Sequence, residues 1–359
     1  MATDTTQAEL DGTRIEAFAE QLFGFYTGGM LTYLIDIGHR TGLFDAAALG
    51  PATSTELADR AGLQERYVRE WLGAMVTGRV VEYDPTAGSY HLPAAHAACL
   101  TGTGAANLAP FAQLNTHLGA HVHQVADAFR AGGGVPYEEF RPEFTDVMDA
   151  VGRGGFDEAL MSEWIDLEPG VRDQLAAGAR VVDVGCGTGH ALVLLGGAFP
   201  ASTFVGYDIS QEAIDRGREE AARAGLDNVR FEVADAAALR ADESFDVAFV
   251  FDAIHDQVAP ATVLRNIHQL LRPDGVFLMF EPAVSSRLED NVAHPLAPFL
   301  YAVSTLHCLT ISLAHDGAGL GAAWGAELAS DMLRDAGFGD VTVHDVPNEP
   351  INALFVARR

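Results

Sequence analysis

Two hydrophobic patterns alternate along the chain, and the change between them divides it. Up to about residue 175, apolar residues mostly recur every three or four positions, which is typical of amphipathic helices. From Arg180 onward, short apolar runs such as RVVDVG, STFVGYDIS and VRFEVAD alternate with helical stretches. This alternation predicts a parallel sheet with helices on both faces. Two closing runs, DVTVHDV and INALFVARR, can pair as a hairpin, so we expect seven strands with the last one antiparallel.

The N-terminal region carries the signals of several helices followed by a hairpin. Apolar residues between Arg14 and Phe44 have helical spacing, and Gly28-Gly29 predicts a break between two helices. A cap at Thr53 or Ser54 begins a further helix, and LQERYVREWLGAMVTG forms the next. RVVEYD and SYHLP then read as two strands joined by a turn at 85–88. Helix, turn, helix and hairpin is the order of a winged helix.

A winged helix can bind DNA or mediate dimerisation. Between residues 53 and 97 the basic residues are Arg60, Arg66, Arg69 and Arg79, whereas the acidic ones are Glu56, Asp59, Glu65, Glu70, Glu82 and Asp84. A surface that reads DNA needs excess positive charge. The sequence therefore favours packing and dimerisation, and it predicts a homodimer without a nucleic-acid partner.

These patterns suggest three segments. We expect a helical, winged-helix dimerisation domain at residues 1–104 and an α/β domain at residues 176–359. The mainly helical segment at 105–175 would connect the two and cover a site in the α/β domain.

Composition excludes several kinds of chemistry. The net charge is −28, and all 22 basic residues are arginine. Without lysine, neither a Schiff-base lysine nor the lysine of a phosphate-binding loop is available. The three cysteines are far apart, which argues against a disulfide framework or a structural zinc site. No apolar run is long enough to span a membrane, and the first residues lack a signal core, so we expect a cytoplasmic protein without a membrane partner.

Polar signals occur where several predicted strands end. The first strand leads into Gly185-Cys-Gly187-Thr-Gly189, a GxGxG turn that differs from the dinucleotide spacing because His190 follows. Glycines allow the backbone to approach a ligand at the carboxyl ends of strands. Asp208 ends the second strand, in position to accept ribose hydroxyls. Asp235 ends the third and could accept from an adenine amino group, with the Phe251 ring nearby.

The motifs VVDVGCGTG, VGYDIS, FEVADA and LLRPDGVFLMFEP resemble those of class I S-adenosylmethionine-dependent methyltransferases. The resemblance covers about residues 180–359 and implies a Rossmann-like sheet with S-adenosylmethionine as cofactor. It assigns cofactor contacts to Asp183, Gly185, Gly187, Asp208, Ile209, Asp235 and Ala236. The N-terminal half is similar to the winged-helix dimerisation domain of small-molecule members, so we expect a small-molecule substrate. A regulator that only senses the cofactor is the non-enzyme alternative.

His255 and Asp256 follow the fourth strand, where the acceptor binds in such enzymes. The segment IHDQ resembles the LHDW segment of O-methyltransferases, whose histidine deprotonates an acceptor hydroxyl. A neutral imidazole near its ordinary pKa suits that role. The sequence departs from that segment at Gln257, which replaces the tryptophan. In this first hypothesis His255 is the general base of an O-methyltransferase.

A second hypothesis makes His255 a metal ligand. Some winged-helix methyltransferases methylate the β-carbon of 2-oxo acids with a metal held by a histidine here and another about fifty residues later. His307 follows His255 by 52 positions. Iron or zinc would fit two imidazoles and would carry the enolate charge of the substrate. Asp256 could be the base, a ligand, or the acceptor that orients an imidazole.

The second ligand is the open point of this hypothesis. His307 also suits the interior of an apolar helix, and His294 is the substitute ligand. Cys308 fits a small buried residue better than a soft ligand. The spacing of His255 and His307 nevertheless makes metal-assisted C-methylation the preferred reaction over O-methylation.

Overall fold

The structure is a computed structural model that describes residues 11–240 and 244–359. The described chain forms two compact units. The first contains residues 11–102 and 107–116, and the second contains residues 103–106 and 117–359. Most of the predicted connector at 105–175 therefore folds with the α/β part.

Helices dominate the first unit. Its elements are α1 (Gly12–Arg40), α2 (Leu43–Ala48), α3 (Ser54–Ala61), α4 (Glu65–Thr77), β1 (Glu82–Asp84), β2 (Ser89–His91) and α5 (Ala94–Ala98), and α6 (Ala109–Ala120) begins in it. Thr53 and Glu56 form a capping box at the start of α3. Strands β1 and β2 pair antiparallel, so the winged-helix order predicted from the sequence is present.

The predicted break at Gly28-Gly29 is wrong, because α1 is one helix of 29 residues. Glycine lowers helix stability by about 1 kcal/mol relative to alanine, but it can adopt helical torsion angles. The Thr32 hydroxyl also donates to the Gly28 carbonyl oxygen at 2.9 Å within the continuous helix. In the described part of the chain, neither α1 nor any other helix has the length and apolar character needed to cross a membrane.

The second unit alternates strands with helices. Its helices are α7 (Val122–Ala131), α8 (Glu143–Gly155), α9 (Val171–Ala177), α10 (His190–Ala198), α11 (Gln211–Arg223), α12 (Pro260–Leu270), α13 (Leu288–Asn291), α14 (Ala297–Val303), α15 (Leu309–Leu313) and α16 (Ala326–Asp335). Its strands are β3 (Arg180–Val184), β4 (Thr203–Asp208), β5 (Val229–Val233), β6 (Phe245–Phe251), β7 (Leu271–Pro282), β8 (Val341–Asp345) and β9 (Asn352–Arg358).

The seven strands form one sheet in the order β5-β4-β3-β6-β7-β9-β8. Strands β3 to β7 pair in parallel, whereas β9 is antiparallel to both β7 and β8. This confirms the predicted α/β fold with an antiparallel last strand. The parallel strands end at one edge, so the residues that follow β3, β4, β5 and β6 are neighbours there.

Each face of the sheet has its own apolar core. Alternate residues of one strand enter opposite cores: Val181 and Phe249 belong to one, and Val182 and Val250 to the other. Two π-helical turns, Phe156–Leu160 after α8 and Ser304–Cys308 before α15, extend helices that pack in this unit. Such turns occur often at functional sites, because they change which side chains face inward.

An exposed carboxylate, that of Glu327, joins α16 to the loop after β7. The Glu327 carboxylate accepts the Ser286 N–H at 2.7 Å and the Ser285 hydroxyl at 2.8 Å. The Ser286 hydrogen bond is the main cause that lowers the pKa of Glu327 to about 2. Because this pKa lies below the ordinary value, the stabilisation is present above about pH 4.5 and is lost as the pH falls through 2.

We expect Glu327→Gln to lower the free energy of unfolding at pH 7 by about 1 kcal/mol or less, since the side chain is near the surface. The difference from wild type should shrink as the pH falls from 4.5 towards 2. Urea unfolding at several pH values measures it, with the exposed Glu289→Gln as control. A difference that is independent of pH would contradict this assignment.

Candidate active site

The glycine turn connects β3 to α10 at the sheet edge. Gly185, Gly187 and Gly189 have φ values of 78°, 55° and 71°, a region that favours glycine. Asp208, at the end of β4, accepts the Gly187 N–H at 2.8 Å through Oδ2 and the Ser210 N–H at 2.8 Å through Oδ1. Each carboxylate oxygen keeps a further lone pair, so Asp208 can fix the turn and still accept hydroxyl groups.

Asp183 lies one residue before the end of β3 and is 1% exposed. Its Oδ1 has no hydrogen-bond partner. Burial, and then the charge of Asp208, raise the pKa of Asp183 well above its usual range. An unpaired buried oxygen at this position needs a donor from a ligand. The amino group of S-adenosylmethionine is such a donor, and the hydroxyls of its ribose match Asp208, so these residues fit the predicted cofactor.

The residues assigned to the adenine end are close to the same edge. Ile209 directly follows Asp208 and is 57% exposed, so its side chain is available to a ligand. Asp235 accepts the Ala237 N–H at 2.8 Å and thereby caps a short 3-10 helix that begins at the buried Ala236. One Asp235 oxygen therefore remains for a donor.

Phe251 has a different environment from the one predicted. Its ring is stacked on Phe280 at a centroid distance of 4.8 Å and contacts Phe156 edge-on at 5.0 Å. It belongs to the core on one sheet face, whereas Ala236 belongs to the core on the other. Phe251 and Ala236 thus pack on opposite faces of the sheet, and a contact between Phe251 and the cofactor stays a prediction.

His255 lies in the loop after β6, next to the glycine turn. A Cβ added to Gly185 would be 2.5 Å from the Cβ of Ala253, which shows how closely turn and loop pack. His255 is 4% exposed, and its Nδ1 is hydrogen-bonded to Glu281 in β7. On the opposite side of the ring, Nε2 is 3.2 Å from Asp256 Oδ1.

Glu281 was not among the site residues predicted from the sequence. This side chain is 0% exposed and also accepts the Ile254 N–H at 2.8 Å and the Trp324 indole N–H at 3.2 Å. Burial alone would lower the pKa of His255, but Glu281 and then Asp256 raise it well above its ordinary value. The sequence signal that could have identified Glu281 is an acidic residue inside the otherwise apolar run GVFLMFEP. An unpaired carboxylate buried there would strongly destabilise the fold, so a partner for it was to be expected.

His307 is in the π-helical turn before α15 and is 1% exposed. Its ring is stacked on Phe144 at 3.8 Å, and its Nδ1 is 3.9 Å from Asp256 Oδ2. Its Nε2 has no hydrogen-bond partner. Burial, followed by the charge of His255, lowers the pKa of His307 well below its usual range. His307 is therefore a neutral imidazole beside the His255–Asp256 pair.

One group in the described residues could hold a metal ion, and it contains His255, Asp256 and Cys308. Their ligand atoms lie within 4.8 Å of one another. His307 lies beside this group, and His294 accepts the Leu296 N–H at 3.3 Å in a loop. Nitrogen, oxygen and sulfur donors suit iron or zinc, so the site fits a metal. Burial raises the pKa of Cys308 to about 12, so a metal would have to displace the thiol proton.

Cys308 was predicted from the sequence to be a small buried residue and not a metal ligand. A π-helical turn shifts the helix by one residue relative to an α-helix, and here it brings Cys308 as well as His307 to Asp256. The predicted pair of His255 and His307 is thus close in space, but the tighter set of donors uses Cys308.

Comparisons with known proteins identify two domains in the chain. Residues 29–102 match the family model of the Rv2258c-like winged HTH domain, and residues 175–307 match a methyltransferase domain. The chain therefore has a winged-helix domain followed by a methyltransferase domain, as its sequence predicted. It is a methyltransferase.

Individual curated relatives share about a third of their residues with parts of this chain. The chain is 29% identical over 224 residues to O-methyltransferase cnsE of Penicillium expansum, which covers 58% of this chain and 73% of that protein. It is 35% identical over 103 residues to 27-O-demethylrifamycin SV methyltransferase of Amycolatopsis mediterranei, or 28% of this chain and 38% of that protein.

Solved structures share the fold over nearly the whole chain. Human N-acetylserotonin methyltransferase, in complex with S-adenosylmethionine, matches with a TM-score of 0.71 at 18% identity and covers 98% of this chain and 99% of that one. The mitomycin 7-O-methyltransferase MmcR matches with a TM-score of 0.69 at 19% identity, over 97% and 100%. At these identities the likeness shows a common fold.

Two glycines of the turn give a matched pair of variants. A Cβ on Gly189 would lie 2.0 Å from the Phe231 ring, whereas a Cβ on Gly187 meets no atom within 4 Å. We expect Gly187→Ala to cost about 1–2 kcal/mol from its positive φ alone. Gly189→Ala should cost roughly 3 kcal/mol or more, because steric overlap adds to the same strain. Denaturant unfolding measures both, and equal losses would contradict the packing of Phe231 under the turn.

Proposed function

We propose that the protein transfers a methyl group from S-adenosylmethionine to a hydroxyl group of a small molecule, with His255 as general base. The observation that carries the proposal is the buried His255–Glu281 pair beside the glycine turn. The description of the Penicillium relative as an O-methyltransferase supports the choice of oxygen as acceptor atom.

Glu281 gives His255 a defined orientation. Its carboxylate accepts the Nδ1–H, so Nε2 is the nitrogen that can take the acceptor proton. Because Glu281 and Asp256 raise the pKa of His255 above the ordinary value expected from the sequence, the ring must first lose its Nε2 proton, and the fraction in the base form increases with pH. The negative charge of Glu281 also stabilises the imidazolium that forms when the proton arrives. Three further hydrogen-bonding groups would hold the cofactor, namely Asp208, Asp235 and the unpaired Oδ1 of Asp183. When bound, S-adenosylmethionine supplies an electrophilic methyl group.

The chemical step is an in-line displacement. The acceptor oxygen forms a bond to the methyl carbon while the bond from that carbon to sulfur breaks, and S-adenosylhomocysteine leaves. The hydroxyl proton passes to His255 Nε2 and later to solvent. The low exposure of His255 keeps competing water away from the reacting methyl group.

Metal-assisted C-methylation of a 2-oxo acid is the second candidate. The convergence of His255, Asp256 and Cys308 favours it, with Glu281 orienting the imidazole from outside the donor set. A metal in this set would act as a Lewis acid for the keto oxygen and carboxylate of the substrate. We rank it second, in contrast to the sequence-based preference, because that preference depended on His307, which lies beside the donor set.

We expect His255→Ala to lower kcat/KM for a phenolic acceptor by roughly 10²- to 10⁴-fold, which is typical for loss of a general base. Glu281→Gln should reduce the rate less, since it keeps the ring but removes the charge. His294→Ala is the control and should retain activity.

Elemental analysis of the same proteins separates the two reactions. Metal-free wild type that methylates a hydroxyl supports the general-base reaction. Near-stoichiometric iron or zinc that is lost in His255→Ala and Cys308→Ala, together with transfer to a 2-oxo acid, would overturn it in favour of the second candidate.

We also propose that the chain forms a homodimer through α1. This helix exposes aromatic side chains, among them Phe18 at 57%, Phe25 at 60% and Tyr26 at 62%. Phe18 and Phe25 are seven residues apart and therefore lie on the same side of the helix. A run of exposed aromatic residues marks a protein interface, and the matched winged-helix domain fits this role.

The double variant Phe18→Asp/Phe25→Asp should convert the dimer to a monomer, because buried aromatic anchors typically contribute most of the binding free energy. Light scattering at several protein concentrations measures the change. Leu49→Asp is the matched control, since Leu49 is 77% exposed in the same unit but outside α1. A wild-type monomer, or a variant that remains dimeric, would refute the proposed interface.

A further inference from the structure

A polar cluster lies on the side of the glycine turn that faces α8. We call it the Arg153 cluster, and it contains Asp149 and Arg153 of α8, Asp157 of the π-helical turn, Thr188 of the glycine turn, His190 of α10 and Glu220 of α11. The proposed reaction uses none of these residues. His190 is buried, Asp157 is exposed and the other four are half-buried, and together they surround a turn that the cofactor must contact.

Arg153 joins three elements. Its guanidinium donates to both oxygens of Asp149, at 3.0 and 2.9 Å, and to both oxygens of Glu220, at 3.0 Å each. Nη1 also lies 2.7 Å from His190 Nδ1. Two bidentate pairs on one arginine give a fixed geometry that a lysine could not reproduce. Helix α8 is thus attached to α11 and to the start of α10.

The cluster holds the residues on both sides of Gly189. The Thr188 hydroxyl donates to Asp149 Oδ1 at 2.6 Å, and His190 Nε2 is 2.7 Å from Asp157 Oδ1. Gly185, Gly187 and Gly189 have no side chains that could fix the turn, so its conformation depends on packing and on hydrogen bonds, among them those from the Gly185 and Cys186 N–H groups to the Tyr207 carbonyl oxygen at 2.8 and 3.0 Å. On the sheet side Asp208 restrains it through the Gly187 N–H. The Arg153 cluster supplies the restraint from the side of α8.

The charge balance makes this restraint depend on Arg153. Asp149, Asp157 and Glu220 are three carboxylates, and the Glu220 side chain is only 19% exposed. Arg153 is the permanent positive charge among them. Removing it would leave the half-buried Asp149 and Glu220 carboxylates close together without a compensating guanidinium, which is unfavourable where water screens the charges only in part. Asp149 and Glu220 should then separate, which would release Thr188 from Asp149 and move His190, whose Nδ1 lies 2.7 Å from Glu220 Oε1.

We propose that Arg153 is a positioning residue that keeps the glycine turn in its cofactor-binding conformation without touching cofactor or acceptor. The inference rests on the proposed use of S-adenosylmethionine. If the turn is ordered for only a fraction of the time, the apparent Kd rises by the inverse of that fraction. Once the cofactor is bound, the turn is ordered, so the chemical step should be unchanged.

We expect Arg153→Gln to raise the Kd and KM for S-adenosylmethionine on the order of tenfold, while kcat and the KM for the acceptor stay within about twofold. Arg153→Lys should have an intermediate effect, because it restores the charge but not both bidentate pairs. Amide hydrogen exchange should accelerate at residues 185–190 in Arg153→Gln. A general loss of stability would instead accelerate exchange throughout the unit.

Two further variants complete the test. Arg172→Gln is the matched control, because Arg172 also forms a two-point pair with a carboxylate, Asp166, but outside the cluster. It should leave the Kd unchanged. Thr188→Val removes only the hydrogen bond to Asp149, so it tests the same idea if Arg153→Gln does not fold, and we expect about a threefold rise in Kd.

The outcomes distinguish this inference from the function on which it rests. Isothermal titration with S-adenosylmethionine measures Kd for each protein. Wild type that does not bind the cofactor would overturn both. Wild type that binds it, with folded Arg153→Gln and Thr188→Val binding equally well, would overturn the role of Arg153 alone.

Discussion

A buried carboxylate, Glu281, is the constraint on which the candidate active site depends. It lies at 0% exposure in the interior strand β7, where an unpaired charge would be unfavourable. The structure compensates it with three donors from different segments: the Ile254 N–H, the Trp324 indole and the His255 ring. These hydrogen bonds fix the loop after β6 and the orientation of His255. The chemistry proposed for His255 follows from this pairing.

The sheet edge collects the remaining parts of the site. Parallel strands bring the glycine turn, Asp208 and the His255 loop together, although they are far apart in sequence. The two π-helical turns add residues from outside the sheet, Phe156 against Phe251 and His307 with Cys308 next to Asp256. The reaction of a site assembled in this way depends on the side chains that surround it and not on the sheet alone.

The two reactions considered for this site share residues and differ in what neutralises charge. In O-methylation, His255 accepts a proton and Glu281 balances the resulting cation. In C-methylation, a metal would occupy the space between His255, Asp256 and Cys308 and balance an enolate. Both need the buried, water-poor environment that the apolar residues around His307 provide. The Arg153 cluster serves either reaction, because it acts on the cofactor side.

The sequence by itself determined the features that depend on local patterns. The strand–helix alternation gave the sheet, and the GxGxG turn with Asp208 located the cofactor end, because glycine torsion angles and strand ends have short-range signals. Only the tertiary structure decided the partners of His255. Glu281 and Cys308 are 26 and 53 residues away in the chain, and no local pattern reports such pairings. The break predicted at Gly28-Gly29 failed for a related reason, since a glycine pair permits a break without requiring one.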